Sequence, residues 1–160
     1  MTEIRLAAES DVAAIAVIGH ITWSATYWFA SADYVRTGLD RGWSREALLA
    51  SMRDTTVLVA TDGDEAVGVG NIDLRGETPV IWKLCVLPHA QGTGVGSALM
   101  AALLGKAPVG APVRLQYVEG NERAAAFYAT KGFTIVDREA GEQPGWPRSI
   151  WVERGSALID

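Results

Sequence analysis

Apolar and polar positions repeat in two periods along this chain, and the switches between them set out an order of elements. EIRLA at residues 3 to 7 reads as a short strand. The Ser10–Asp11 pair then stands where a helix would be capped, because Val12, Ile15 and Ile18 follow at helical spacing. Residues 22 to 43, TWSATYWFASADYVRTGLDRGW, form an aromatic-rich and irregular stretch. Ser44 opens a second helix, SREALLASM. TTVLVATD and EAVGVGNIDL are β-rich runs separated by DGD, a hairpin signal, and PVIWKLCVL is a strand of continuous apolar character. These runs predict the centre of a sheet.

The second half is punctuated by glycine. Gly92, Gly94 and Gly96 stand at alternate positions before a run in which Val95, Leu99, Ala102 and Leu103 share one helix face. PVRLQYV (112 to 118) predicts the next strand, and Asn121 is placed to cap the helix NERAAAFYATKG, which ends at Gly132 as a glycine C′ residue requires. FTIVDREA and PRSIWVER close the chain as two further strands. The pattern predicts an α+β fold: one mixed sheet of about six or seven strands with about four helices, in a single domain over residues 1 to 160.

Composition narrows the function. A hydrophobic fraction of 49% with 21% charged residues belongs to a chain that folds alone. A net charge of −5 and no block of Lys or Arg argue against nucleic acid as a ligand. Cys85, the single cysteine, lies in an apolar run and cannot form an internal disulfide. MTEIRLAAESD lacks the regions of a signal peptide, and AAIAVIG falls far short of the ~20 residues that span a bilayer. The expectation is a cytoplasmic protein with no membrane partner and no metal.

Candidate chemistry centres on the glycines. Where a loop leads from a strand into a helix, the first helical N–H groups lack partners and the dipole is positive, so an anion such as phosphate fits there. A tight turn needing positive φ explains the same glycines equally well. A Walker loop is excluded because Gly96 is followed by Ser97 and Ala98, and GTGVGS does not match a dinucleotide fingerprint.

Gln91-Gly92-Thr93-Gly94-Val95-Gly96, the preceding Val86-Leu87-Pro88, and Asn121, Ala124, Phe127, Tyr128, Gly132 and Phe133 downstream resemble the motifs of the GNAT superfamily of N-acetyltransferases. The resemblance runs over roughly residues 3 to 153 and is strongest from 80 to 134. It implies a mostly antiparallel sheet in which two parallel central strands, PVIWKLCVL and PVRLQYV, splay apart around acetyl-CoA. By that analogy Leu84, Cys85 and Val86 pair through their main chain with the pantetheine arm. The amides of Gly92, Thr93, Gly94, Val95, Gly96 and Ser97 hold the pyrophosphate, and Gln91 joins the cofactor-binding residues as the first position of the motif.

The resemblance further implies that an amine attacks the thioester directly, leaving Cys85 without a nucleophilic role. Tyr128 resembles the general acid that protonates the departing thiolate, and Asn121, seven residues earlier, resembles the Asn that contacts the cofactor arm. Read as residues alone, Asn is also a common N-cap and Tyr a common half-buried helix residue. Where some members that acetylate protein N-termini carry a Glu, this chain has Gln116, which cannot take up a proton. Asp73, Glu77, His89 and Glu119 are alternative bases. Trp23, Tyr27 and Trp28 are candidates for the acceptor site, and core or dimer packing, which would allow a homodimer, explains them equally. The expected activity is acetyl transfer to a primary amine of a small molecule. The alternative is a non-catalytic acyl-CoA-binding or sensing module of the same fold.

Overall fold

The computed structural model describes residues 2–155. Strand β1 (Thr2–Leu6) is followed by three helices, α1 (Val12–Thr26), α2 (Ala32–Trp43) and α3 (Arg45–Asp54). Then come β2 (Thr56–Asp62), β3 (Glu65–Asp73), β4 (Val80–Val86), α4 (Val95–Leu104), β5 (Val113–Val118), α5 (Glu122–Thr130), β6 (Phe133–Glu139) and β7 (Ser149–Arg154). The strands form one seven-stranded sheet in the order β1-β2-β3-β4-β5-β7-β6. Every neighbouring pair is antiparallel except β4 with β5, which run parallel.

Both faces of the sheet are covered, and each cover has its own core. Leu99, Met100 and Leu103 of α4 pack with Ile81, Leu115 and Val152 on one face. Val12, Ile15 and Ile18 of α1 pack with Trp43, Leu48, Val57 and Val69 on the other. A sheet covered on both sides loses polar alternation along its central strands, as in β3, where Val67 to Ile72 are buried without a break. No helix among the described residues is long and apolar enough to cross a membrane.

Two expectations need correction. Residues 22 to 43 are largely helical: α1 continues to Thr26, and α2 starts after Ser31, whose Oγ accepts from the Tyr34 N–H at 3.2 Å. There are thus five α-helices among the described residues, where about four were expected. The end of α1 was hidden because that helix is apolar on nearly every side, so no polar stripe marks where it stops. The Ser10–Asp11 cap is also different. Residues Glu9–Asp11 form a 3₁₀ turn, and the Asp11 carboxylate accepts from the Ala8 N–H at 2.7 Å while pairing with Arg5 at 2.8 Å.

Helices α1 and α2 meet through two glycine–tryptophan contacts. A Cβ on Gly19 would lie 2.1 Å from the Trp43 ring, and one on Gly38 would lie 2.3 Å from the Trp23 ring. Each helix therefore gives up a side chain so that a ring from the other segment can lie against its backbone. In an exposed helix interior, Gly→Ala gains about 1 kcal/mol of propensity. Here overpacking opposes that gain by typically about 1–3 kcal/mol, with more expected where contact is this close. Gly19→Ala is predicted to lower the urea midpoint at unchanged m-value, a net destabilisation of at least about 1 kcal/mol. A midpoint at or above the parent's would show that the Trp43 ring moves aside freely.

Candidate active site

The site begins with an irregularity in β4. Ile72 of β3 registers with Ile81, but Asn71 registers with Lys83, so Trp82 is an extra residue bulged out of the ladder. The parallel pairing of β4 with β5 stops at the same place: only Val80 with Arg114 and Ile81 with Leu115 are in register. From Trp82 onward the two strands diverge. The β5-facing edge of Leu84, Cys85 and Val86 has no partner strand among the described residues.

The loop after β4 is built from its own residues. Gln91 Nε2 donates to the Val86 carbonyl at 3.0 Å, and the Thr93 hydroxyl donates to the Ala90 carbonyl. Gly92 at φ +81° and Gly94 at φ +92° adopt the left-handed conformation, so the turn does require glycine at both positions. The space a Cβ would enter at either residue is open to 4 Å. Gly96 is different, since a Cβ there would make ordinary contact with Phe127 and Val86. The buried Val95 and Leu99 side chains anchor α4 beneath the loop. Its hydrogen-bond ladder starts with the Ala98 N–H to the Gly94 carbonyl, leaving the N–H groups of Val95, Gly96 and Ser97 outside it.

Helix α5 closes the other side of the divergence. Asn121 Oδ1 accepts from the Ala124 N–H at 3.1 Å, so this residue is the N-cap of the helix. Tyr128 stacks on Tyr117 with ring centroids 6.0 Å apart and meets Phe127 and Phe133 edge-on. Burial raises the pKa of its phenol far above the ordinary value, and the nearby Cys85 and Tyr27 add to the rise. Burial also raises Tyr27, with a hydrogen bond from Asn121 opposing it. The Cys85 thiol is pushed up chiefly by burial. Phe29 lies over Gly120, where a Cβ would be 3.2 Å from its ring.

Trp23 and Tyr27 share a face of α1 with centroids 4.6 Å apart, and contacts from Trp23 to Tyr34 and from Tyr34 to Trp146 extend the row to the segment between β6 and β7. Trp28 lies outside this row and is 79% exposed. A cleft of about 470 Å³ lies between α2 and residues 143–146, and a second of about 270 Å³ lies between α2, α3 and the β3–β4 end of the sheet, with Arg41 lining both. Arg41 pairs with Glu142 at 2.7 Å across the first.

Three of the four alternative bases are occupied. Asp73 is held well below the usual carboxylate range by hydrogen bonds from Arg75 and Trp82. Glu119 is lowered by Arg148, and His89 lies 3.2 Å from Glu65. Glu77 is exposed in the β3–β4 turn, and Gln116 registers with Trp151. Sequence reasoning missed Lys83 and Asn71, which line the smaller cleft, and Trp146, which lines the larger.

The family model for the acetyltransferase (GNAT) domain matches residues 53–135, more than half of the 160-residue chain. No curated protein matches by sequence. The PaiA N-acetyltransferase of Thermoplasma acidophilum, solved with coenzyme A, superposes with a TM-score of 0.80 at 19% identity, over 97% of this chain and 99% of that one. The ribosomal-protein-S18-alanine N-acetyltransferase of Escherichia coli gives 0.75 at 16% identity, over 100% and 97%. The putative acetyltransferase YncA of Salmonella typhimurium, solved with acetyl-CoA, gives 0.73 at 20% identity, over 97% and 94%. With an open mixed sheet parted between β4 and β5 above a glycine loop, and a family model matching that part of it, the chain belongs to the GNAT acetyltransferase family.

Proposed function

We propose that residues 1 to 160 act as a single cytoplasmic unit that transfers the acetyl group of acetyl-CoA directly to a primary amine of a small molecule. The observation that carries this reading is the divergence of β4 from β5, which leaves a strand edge unpaired next to Tyr128. An extended amide-bearing arm fits such an edge as an added strand would. Leu84, Cys85 and Val86 supply the main-chain partners for it. Gln91, Gly92, Thr93, Gly94, Val95, Gly96 and Ser97 surround the diphosphate. The open space over Gly92 and Gly94 and the free N–H groups of the first turn of α4 suit that anion. Asn121 keeps its side-chain N–H groups for the arm or for Tyr27 while its oxygen caps α5.

Acetyl-CoA supplies an activated acyl group as a thioester, and the chain's residues orient it and manage the protons. Tyr128 donates to the departing sulfur; its raised pKa keeps it protonated across the working pH range. A thiol pushed up by burial is a poor nucleophile, so Cys85 supports direct attack by the amine. Trp23, Tyr27 and Trp28 belong to the aromatic segment above the acceptor. The Arg41–Glu142 pair and the Tyr34–Trp146 contact tie α2 to the segment between β6 and β7. That strap narrows the acceptor side, which favours a small molecule over a polypeptide end.

Two predictions follow from this assignment. Ser97→Asp puts a carboxylate in the first turn of α4, where the dipole favours it by about 0.3–1 kcal/mol, yet the same charge repels a diphosphate. The variant should be at least as stable as the parent and bind acetyl-CoA at least tenfold more weakly by calorimetric titration. Unchanged affinity would mean the loop serves only the turn. Tyr128→Phe keeps the ring against Tyr117 and Phe133 and removes the donor. Thiol release on an amine the parent acetylates well should fall roughly a hundredfold in kcat, with KM for acetyl-CoA within about threefold. Binding of acetyl-CoA by the parent without turnover on any amine would favour the sensing module instead.

A further inference from the structure

Lys83 is the first residue of β4 beyond the bulge, one position before the segment assigned to the cofactor arm. Its Nζ lies 5.3 Å from the centre of the Trp43 ring, and its stem runs beside Gly42. Burial pushes its pKa down, and no carboxylate stands within ion-pair distance of it among the described residues. The other cations lining the smaller cleft are paired, Arg41 with Glu142 at 2.7 Å and Arg75 with Asp73 at 2.9 Å. Lys83 is the uncompensated charge of that cleft.

A second observation lies directly across the ladder. Asn71 registers with Lys83, is 2% exposed, and lines the same cleft. Its Nδ2 donates to Thr55 Oγ1 at 3.1 Å, but its Oδ1 has no partner. Buried polar groups are nearly always satisfied, so an orphaned carbonyl on the residue registered with a desolvated, unpaired lysine, in the same cleft, marks an unfinished constellation. The ammonium requires an anion and the carbonyl requires an N–H. A volume of about 270 Å³ is below the ~300–1,000 Å³ of sites for drug-sized ligands, so the complement is small.

We propose that Lys83 is a specificity-determining residue that receives a carboxylate of the acceptor while Asn71 accepts an N–H from the same molecule, so that the preferred substrates are amines bearing a carboxylate, such as α-amino acids. The inference rests on the acetyl-transfer reading above. A polyamine or other purely cationic acceptor would bring a second positive charge against Lys83 and is disfavoured at this position.

The test compares thiol release from acetyl-CoA for each of the twenty standard amino acids and its α-carboxamide, using the parent, Lys83→Met and Lys83→Arg. The amide's amine is less basic and so more available, which biases the comparison against the proposal. The parent should favour the carboxylate member of its best pair at least tenfold in kcat/KM, chiefly through KM. Lys83→Met should bring that ratio to within about threefold, and Lys83→Arg should retain part of it. Turnover with no carboxylate preference, or a ratio unchanged in Lys83→Met, overturns the proposal and leaves acetyl transfer standing. If no amine is turned over, acetyl transfer fails on its own account, and tryptophan fluorescence of the coenzyme A-saturated protein titrated with the same amino acids decides the site. Saturable binding weakened at least tenfold in Lys83→Met upholds it; no binding, or equal binding, overturns it.

Discussion

The extra residue at Trp82 is the constraint on which the rest of the site depends. Without it, β4 would continue in register with β5, and every side chain beyond Ile81 would pass to the opposite face. With it, Leu84 and Val86 pack with the α4 core while Cys85 packs with the α1 core. Lys83, registered with Asn71, keeps to the same face as Cys85. One inserted residue therefore does two things. It ends the parallel ladder after Ile81, and it re-aims the following side chains so that the freed edge lies between two intact cores.

An unpaired edge inside a sheet tends to close or to recruit another strand, so something must hold it apart. On the α4 side that support is the cluster of Tyr117, Phe127, Tyr128 and Phe133. From the other side, the segment between α1 and α2 reaches across: Phe29 covers Gly120, and Tyr27 comes near enough to Asn121 for that side chain to oppose the rise in its pKa. The same burial that makes these rings a wedge raises both phenols. Packing and protonation thus have one cause, since a phenol that holds the strands apart in an apolar setting is also one that keeps its proton.

What could be read from the sequence was whatever the backbone itself demands. Gly92 and Gly94 adopt positive φ, Asn121 caps α5, and Gly132 at φ +89° follows its end, and each leaves a local signature. The strand–loop–helix run from β4 to α5 was legible for that reason. The end of α1 and the whole of α2 were not, because Gly19 and Gly38 look like breakers until the Trp43 and Trp23 rings that fill them are placed. The bulge at Trp82 leaves no mark in IWKLCV, where Ile81 and Trp82, and again Leu84, Cys85 and Val86, are apolar in succession and alternation is lost. The significance of Lys83 is beyond any local pattern, since lacking a partner is a property of the folded surroundings.

Lys83 also shows why total charge misleads about the acceptor. The net charge of −5 favours cations in general, but exposed charges are screened beyond about 8–10 Å at physiological salt. Within the smaller cleft the arginines are already neutralised by Asp73 and Glu142. An ammonium lying over an indole ring in a partly desolvated position acts through a lower effective dielectric than a surface carboxylate does, so its field is stronger at the same distance. A ligand approaching from bulk solvent meets an acidic protein. Once it reaches the smaller cleft, the unpaired charge it meets is that of Lys83, and on the proposal above it is this local charge that selects the group placed there.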